Sequence, residues 1–244
     1  MSGIQINIHN KTYKVEGHTH NAIAELQLQV KRNEFVCLVG PSGCGKTTLL
    51  NIVAGLDKQY QGQISIHHDG SSPHIGYIFQ NPRLLPWYTV RQNIELIFSQ
   101  APPAELIDSL LAEMQLAEVQ HTYPERLSLG MQRRVAIIRA FAINPDVLLM
   151  DEPFVSLDAP SARQIRGMLY TLWQQRPHTV LFVTHDLREA IALADRLIFL
   201  SPAPMQTLAD IPVNIAREQR NDSAKIENFR GYLLQNFPAI NTYL

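Results

Sequence analysis

The sequence predicts an α/β fold: a parallel-sheet core around a phosphate-binding loop, an antiparallel β subdomain and an inserted α-helical subdomain. Three observations predict it. Gly40-Pro41-Ser42-Gly43-Cys44-Gly45-Lys46-Thr47 fits the pattern G-x-x-x-x-G-K-[ST] between an apolar run and a helical pattern. Short apolar runs at 75–79, 147–150 and 179–183 each lead into a polar residue, the edge at which a parallel sheet meets its ligand. Residues 3–30 alternate apolar and polar, the period of half-buried antiparallel strands.

Composition bounds the function. The chain has 244 residues, enough for one large α/β domain with a subdomain. A net charge of −1 gives no electrostatic reason to expect a nucleic-acid partner. No apolar run reaches the ~18 residues of a membrane span, and Met1-Ser2-Gly3-Ile4 lacks the basic start of a signal peptide. The two cysteines, Cys37 and Cys44, fall in a predicted buried strand and in the glycine loop, so no disulfide is expected and a reducing compartment fits.

In chain order, Ile4, Ile6 and Ile8, then Ala24, Leu26, Leu28 and Val30, mark strands separated by a polar loop at Glu16–Asn21. Phe35–Val39 is a buried strand and Thr47–Ala54 a helix, the frame a phosphate loop requires. Residues 62–67 form another strand, and Ile75–Phe79 one that stops at Gln80. A proline-bounded apolar loop follows at 82–87. Helices are expected over 90–99, 103–116 and 129–143, the last with Val135, Ile138 and Ala142 on one face. Strands at 147–150, 179–183 and 197–200 alternate with helices at 159–175 and 187–194. From Pro212 the chain is more polar and reads as one or two helices. The domain expectation is 1–211 for the core with helices near 84–143, and 212–244 for a helical tail.

The chemistry follows from residue types. Glycines let backbone N–H groups turn inward around an anion, Lys46 reaches the β- and γ-phosphates, and Thr47 offers a hydroxyl to Mg²⁺. Asp151, at a strand end, suits a second Mg²⁺ anchor, and Glu152 beside it suits a general base for water.

At this point the chain resembles the ATPase subunit of an ATP-binding cassette (ABC) transporter, with motifs in family order over nearly its whole length. Tyr13 resembles the aromatic that stacks on adenine. Gly40 to Thr48, with Pro41, Ser42, Gly43, Cys44, Gly45, Lys46 and Thr47, is the P-loop of a P-loop NTPase (RecA-like) core. Gln80 resembles the glutamine that touches Mg²⁺ and reports to the membrane domain. Leu127-Ser128-Leu129-Gly130-Met131-Gln132 stands where the LSGGQ signature belongs. Asp151-Glu152 is Walker B with the catalytic glutamate, Ser156-Leu157-Asp158 is the D-loop, and His185 is the switch histidine. The resemblance implies Mg²⁺-dependent ATP hydrolysis with Lys46, Glu152 and His185 as catalytic groups. Thr47, Gln80 and Asp151 would hold the metal, and Tyr13, the P-loop, Gln80, Ser128, Gly130 and Asp158 the nucleotide. It implies a head-to-tail homodimer, or pairing with a second ABC subunit, in which Ser128 of one chain meets the ATP of the other.

Two signature positions depart from the family: Leu129 replaces the first glycine and Met131 the glutamine. If that glycine supplies only an N–H, Leu129 suffices. If it supplies close approach or an unusual φ, Leu129 costs stability in the closed dimer. The run Asn81 to Trp87 resembles the branch that powers nitrate, sulfonate and taurine import. That implies an integral membrane permease docking on exposed Leu84, Leu85, Pro86 and Trp87, a solute-binding protein in the same system, and a cytoplasmic subunit peripheral on the membrane. A lipid or lipoprotein exporter ATPase and a low-turnover regulatory subunit are the alternatives. His18, His20, His67 and His68 lack metal-ligand spacing. Arg133, Arg134 and Arg139 read as the solvated face of the signature helix, with approach of Arg133 or Arg134 to the nucleotide across the dimer as the alternative.

Overall fold

Alternation builds the first strands, β1 (Ser2–Val15) and β2 (His18–Lys31), and a continuous apolar run builds β3 (Phe35–Val39), all five residues of which are buried. The structure is a computed structural model and describes residues 2–15, 18–68 and 72–238. After β3 come α1 (Lys46–Val53), β4 (Gln61–Ile66), β5 (Ile75–Ile78), α2 (Val90–Glu95), α3 (Ala104–Glu113) and α4 (Leu129–Ala142). Then follow β6 (Val147–Asp151), α5 (Ala159–Gln175), β7 (Thr179–Thr184), α6 (Leu187–Leu193), β8 (Arg196–Leu200), β9 (Thr207–Pro212) and α7 (Ser223–Asn236). The chain divides into two units, Met1–Asp69 with Thr179–Leu244, and Gly70–His178.

The first unit holds two sheets. In one, β1 lies between β2 and β4 and is antiparallel to both. Ile4, Ile6 and Ile8 bury one face of β1 against Leu26, Leu28 and Val30 of β2. The β1–β4 register passes from Ile8↔Gly62 to Asn10↔Gln61, so β1 carries one extra residue there. That bulge reverses the alternation: before it the even-numbered side chains are buried, after it Lys11 is. Gly62 is required opposite the bulge. Its φ is +142° and a Cβ would lie 2.1 Å from the Asn7 carbonyl oxygen. In the other sheet β3 runs parallel to β7 on one side and β8 on the other, with β9 antiparallel on β8.

In the second unit β5 runs parallel to β6, and α4 packs on β5. Gly76 makes that approach possible, since a Cβ there would lie 2.5 Å from the Ala140 carbonyl oxygen. Helices α2, α3 and α5 pack around α4.

Two expectations are corrected, and one strand is added. The polar residues 19–21 of the expected loop belong to β2, because ladder pairing such as Tyr13↔His20 needs only backbone groups, while 16 and 17 lie outside the described residues. Helix α2 stops at Glu95, and α3 spans 104–113 instead of 103–116. Strand β9 went unread, since Thr-Leu-Ala-Asp-Ile-Pro lacks a clean alternation, buries only Ile211 and lies on a sheet edge. The tail, expected as one or two helices, holds one α-helix among its described residues, α7, packed on α6, and residues 239–244 lie outside the described residues. Among the described residues no helix is long and apolar enough to cross a membrane.

Candidate nucleotide site

The glycine loop leaves the carboxyl end of β3 and ends at the start of α1. Gly43 and Gly45 have φ of +77° and +106°, left-handed conformations that a side chain would oppose. Gly40 is fixed by crowding: a Cβ would lie 3.1 to 3.2 Å from Leu200 and from Cys44 Sγ. Gly45 caps α1 without a side-chain hydrogen bond, so the first-turn N–H groups of α1 are left to an anion. Lys46 is buried and its Nζ donates to the Gly40 and Pro41 carbonyl oxygens at 2.7 and 2.8 Å. The ammonium is thus held at the loop. Ser42, Gly43 and Thr47 are exposed, and Thr48 is half-buried.

Two further expected residues join this loop. Val39 and Thr184 are register partners on parallel strands, so Gly40 and His185 leave the sheet at the same edge. Thr184 Oγ1 donates to Glu189 at 2.9 Å and accepts the Asp186 N–H at 3.0 Å, while Asp186 caps α6 through the Arg188 N–H, so the turn bearing exposed His185 is fixed on both sides. Tyr13 lies on β1, and its hydroxyl donates to Asp57 at 3.3 Å and accepts from the Thr48 hydroxyl, 3.1 Å away.

In the second unit, Ile78 and Met150 are register partners, so Gln80 and the Asp151-Glu152 pair leave adjacent parallel strands at one edge. Asp151 is buried, Glu152 half-buried and Gln80 exposed. Glu152 has φ +44°, uncommon for a residue with a side chain, and Ser156 has φ +65°. Burial and then the charge of Asp151 raise the Tyr77 hydroxyl well above its ordinary value.

Ser128 caps α4 and accepts the Met131 N–H at 3.3 Å. Leu129 is the first residue of α4 and is not in the left-handed region, so it imposes no backbone strain. Met131 supplies the N–H that holds the cap, a task independent of its side chain. Asp158 caps α5, accepting the Ser161 N–H at 2.9 Å and its hydroxyl at 2.7 Å, and these bonds hold its carboxyl below the usual carboxylate value. Ser128, Gly130, Ser156 and Asp158 together line one cavity of about 200 Å³.

The arginines are corrected. Arg133 is buried, not solvated, and donates to the carbonyl oxygens of Phe79 at 3.3 Å and Val155 at 3.1 Å. It ties α4 to the residue before Gln80 and to the turn between Glu152 and Asp158. Arg134 and Arg139 are half-buried and donate to the Met114 and Arg83 carbonyl oxygens. Burial lowers the pKa of all three guanidinium groups. Lys11 and Asp57, bonded around Tyr13, also went unread. Their only sequence signal was a lysine two residues before that tyrosine on one strand.

A glycine loop between a buried strand and a helix without a side-chain cap, its lysine turned inward, defines a P-loop nucleotide-binding protein. The family model for ABC transporters matches residues 23–155. The aliphatic sulfonates import ATP-binding protein SsuB of Bacillus licheniformis is 36% identical over 98% of this chain and 96% of its own length. The nitrate import ATP-binding protein NrtD of Synechococcus elongatus is 38% identical over 86% of this chain and 81% of its own. Among solved structures, the dimeric post-hydrolysis state of the ATP-binding cassette MJ0796 bound to ADP and Pi superposes with a TM-score of 0.76 at 31% identity, covering 87% of this chain and 100% of that one. The chain belongs to the ABC transporter family, as an ATP-binding ATPase subunit.

Proposed function

We propose that this chain hydrolyses Mg·ATP to power import of a small anionic solute of the sulfonate or nitrate kind through a separate integral membrane permease. The observation that carries this reading is similarity along nearly the whole chain to import ATP-binding proteins of both kinds. In the first unit the P-loop N–H groups and Lys46 hold the phosphates, Thr47 offers a hydroxyl to Mg²⁺, Tyr13 stacks on adenine, and His185 contacts the γ-phosphate and orients water. In the second unit Asp151 and Gln80 offer carboxylate and amide oxygens to Mg²⁺, and Glu152 accepts the proton of the attacking water. Hydroxyl, carboxylate and amide oxygens are the hard donors this cation prefers, and Mg²⁺ when bound neutralises charge on the transferring phosphoryl group. Ser128, Gly130 and Asp158, gathered at one cavity, form the surface offered to the nucleotide of a second subunit, in a homodimer or with a paired ABC subunit.

The loop after Gln80 supports a permease contact. Trp87 is 66% exposed, an unusual position for an indole. Its loop is tied to α2: buried Asn93 accepts the Leu85 N–H at 2.8 Å and donates to the carbonyls of Leu85, Tyr88 and Thr89. Leu84 and Leu85 are half-buried, so the exposed apolar surface is Pro86 and Trp87. The subunit then sits on the cytoplasmic face of the membrane, and a solute-binding protein completes the system.

The test is ATP turnover by the chain together with the permease and solute-binding protein of its system, in liposomes, with an aliphatic sulfonate or nitrate supplied. Turnover that rises with one of these solutes, and falls on Trp87→Ala, supports the reading. Turnover indifferent to both solutes overturns the substrate class.

A further inference from the structure

We infer that Lys11 and Asp57 are positioning residues that set the orientation of the Tyr13 ring and so determine how strongly the adenine of ATP is held. The inference rests on the reading of Tyr13 as the adenine platform and goes beyond it.

The argument begins with the bulge in β1. Because β1 carries an extra residue between Ile8 and Asn10, Lys11 turns onto the buried side, and Tyr13, two residues on, shares its face. Lys11 is 2% exposed, and an ammonium so buried demands full pairing. It has it: Nζ lies 2.9 and 2.7 Å from the two oxygens of Asp57 and 2.9 Å from the Gln59 carbonyl oxygen. Asp57 follows directly on the turn after α1. Burial alone would raise its carboxyl, but hydrogen bonds from Lys11, the Gln59 N–H and Tyr13 outweigh it and hold the group ionised below its ordinary value.

Tyr13 is gripped at both parts of its ring. The hydroxyl donates to Asp57 and accepts from Thr48 Oγ1 in α1, the helix that opens at the P-loop. The Lys11 ammonium lies 4.4 Å from the ring centroid, on one face. That face is taken by the cation, which leaves the other to a base. A cation behind the ring also withdraws electron density, which favours stacking by an electron-rich purine. The exposed edge of a tyrosine that otherwise swings freely is thus fixed by a charge pair that touches no nucleotide.

The experiment compares binding of ATP with binding of tripolyphosphate, which has phosphates and no base, both without Mg²⁺ so that no turnover occurs. The full chain, Tyr13→Ala, Tyr13→Phe, Lys11→Met and Asp57→Asn are titrated calorimetrically. Tyr13→Phe removes only the hydroxyl and keeps the fold accessible should Lys11→Met not fold. Lys11→Met, Asp57→Asn and Tyr13→Phe are each expected to weaken ATP by about three- to tenfold while leaving tripolyphosphate within about twofold. Equal losses on both ligands, or no loss on ATP while Tyr13→Ala weakens it, overturn the inference. If Tyr13→Ala binds ATP like the unaltered chain, the adenine reading itself falls.

Discussion

Lys46 donates to the carbonyl oxygen of Gly40, six residues before it, at 2.7 Å. The loop therefore holds its cation at its own mouth, and little side-chain entropy remains to be lost when phosphate replaces the carbonyls. Lys46→Ala removes that charge and leaves the Gly40 and Pro41 carbonyls without their donor. Turnover is expected to fall by at least about a hundredfold, the scale of a lost electrostatic contact to a reacting phosphate. Steady-state phosphate release checks it.

Arg133 joins α4 to the backbone at Phe79 and Val155. Arg133→Met leaves two part-buried carbonyls without this donor and is expected to cost about 1–3 kcal/mol, read as a lower urea midpoint. Arg133→Lys is expected to recover less than half of that loss, because a single ammonium does not reproduce the guanidinium fork.

His178 gives stability a pH dependence. The ring is buried against Phe141, and burial is the largest influence depressing its pKa, with Arg176 adding to it and a backbone bond at Pro145 opposing. The unfolded chain thus takes up a proton at higher pH than the folded one. Stability is full above the unfolded value of about 6.5 and declines as pH falls below it. Melting curves between about pH 7.5 and pH 5 should show a falling midpoint, and His178→Gln should flatten the slope in that window. Asp57, Asp158 and Glu227, whose carboxyls are held low, add a further loss only in more acidic solution.

Gly62→Ala tests the β1 bulge. The added methyl would meet the Asn7 carbonyl oxygen at 2.1 Å, in a backbone conformation that alanine rarely adopts. A loss of about 3 kcal/mol or more is expected by chemical denaturation. Since the same bulge turns Lys11 inward, weaker ATP binding is expected to accompany it.

Much of this was legible in the sequence, for identifiable reasons. The strand, glycine loop and helix from Phe35 to Val53 are dictated by local chemistry, and α5 at 159–175 follows a long, capped helical period. Asp151 and Gln80 were legible because each ends an apolar run. What was hidden depends on contacts far apart in sequence. Arg133 looks like any surface arginine until its guanidinium is seen capping carbonyls 54 and 22 residues away. Lys11 looks solvated until the bulge reverses its face, and Asp57 lies 46 residues from it. Strand β9 is defined by its partner β8 more than by its own composition. Whether Leu129 needs an unusual φ was ambiguous in sequence, and that question resolves once the residue falls at the start of α4 with ordinary backbone geometry.

The most direct test of the account is phosphate release by the purified chain beside Glu152→Gln, with light scattering in Mg·ATP. The account predicts turnover by the unaltered chain and a loss of about a hundredfold or more in Glu152→Gln, which accumulates as an ATP-dependent dimer. Turnover that survives in Glu152→Gln, with no dimer formed on ATP, would contradict it.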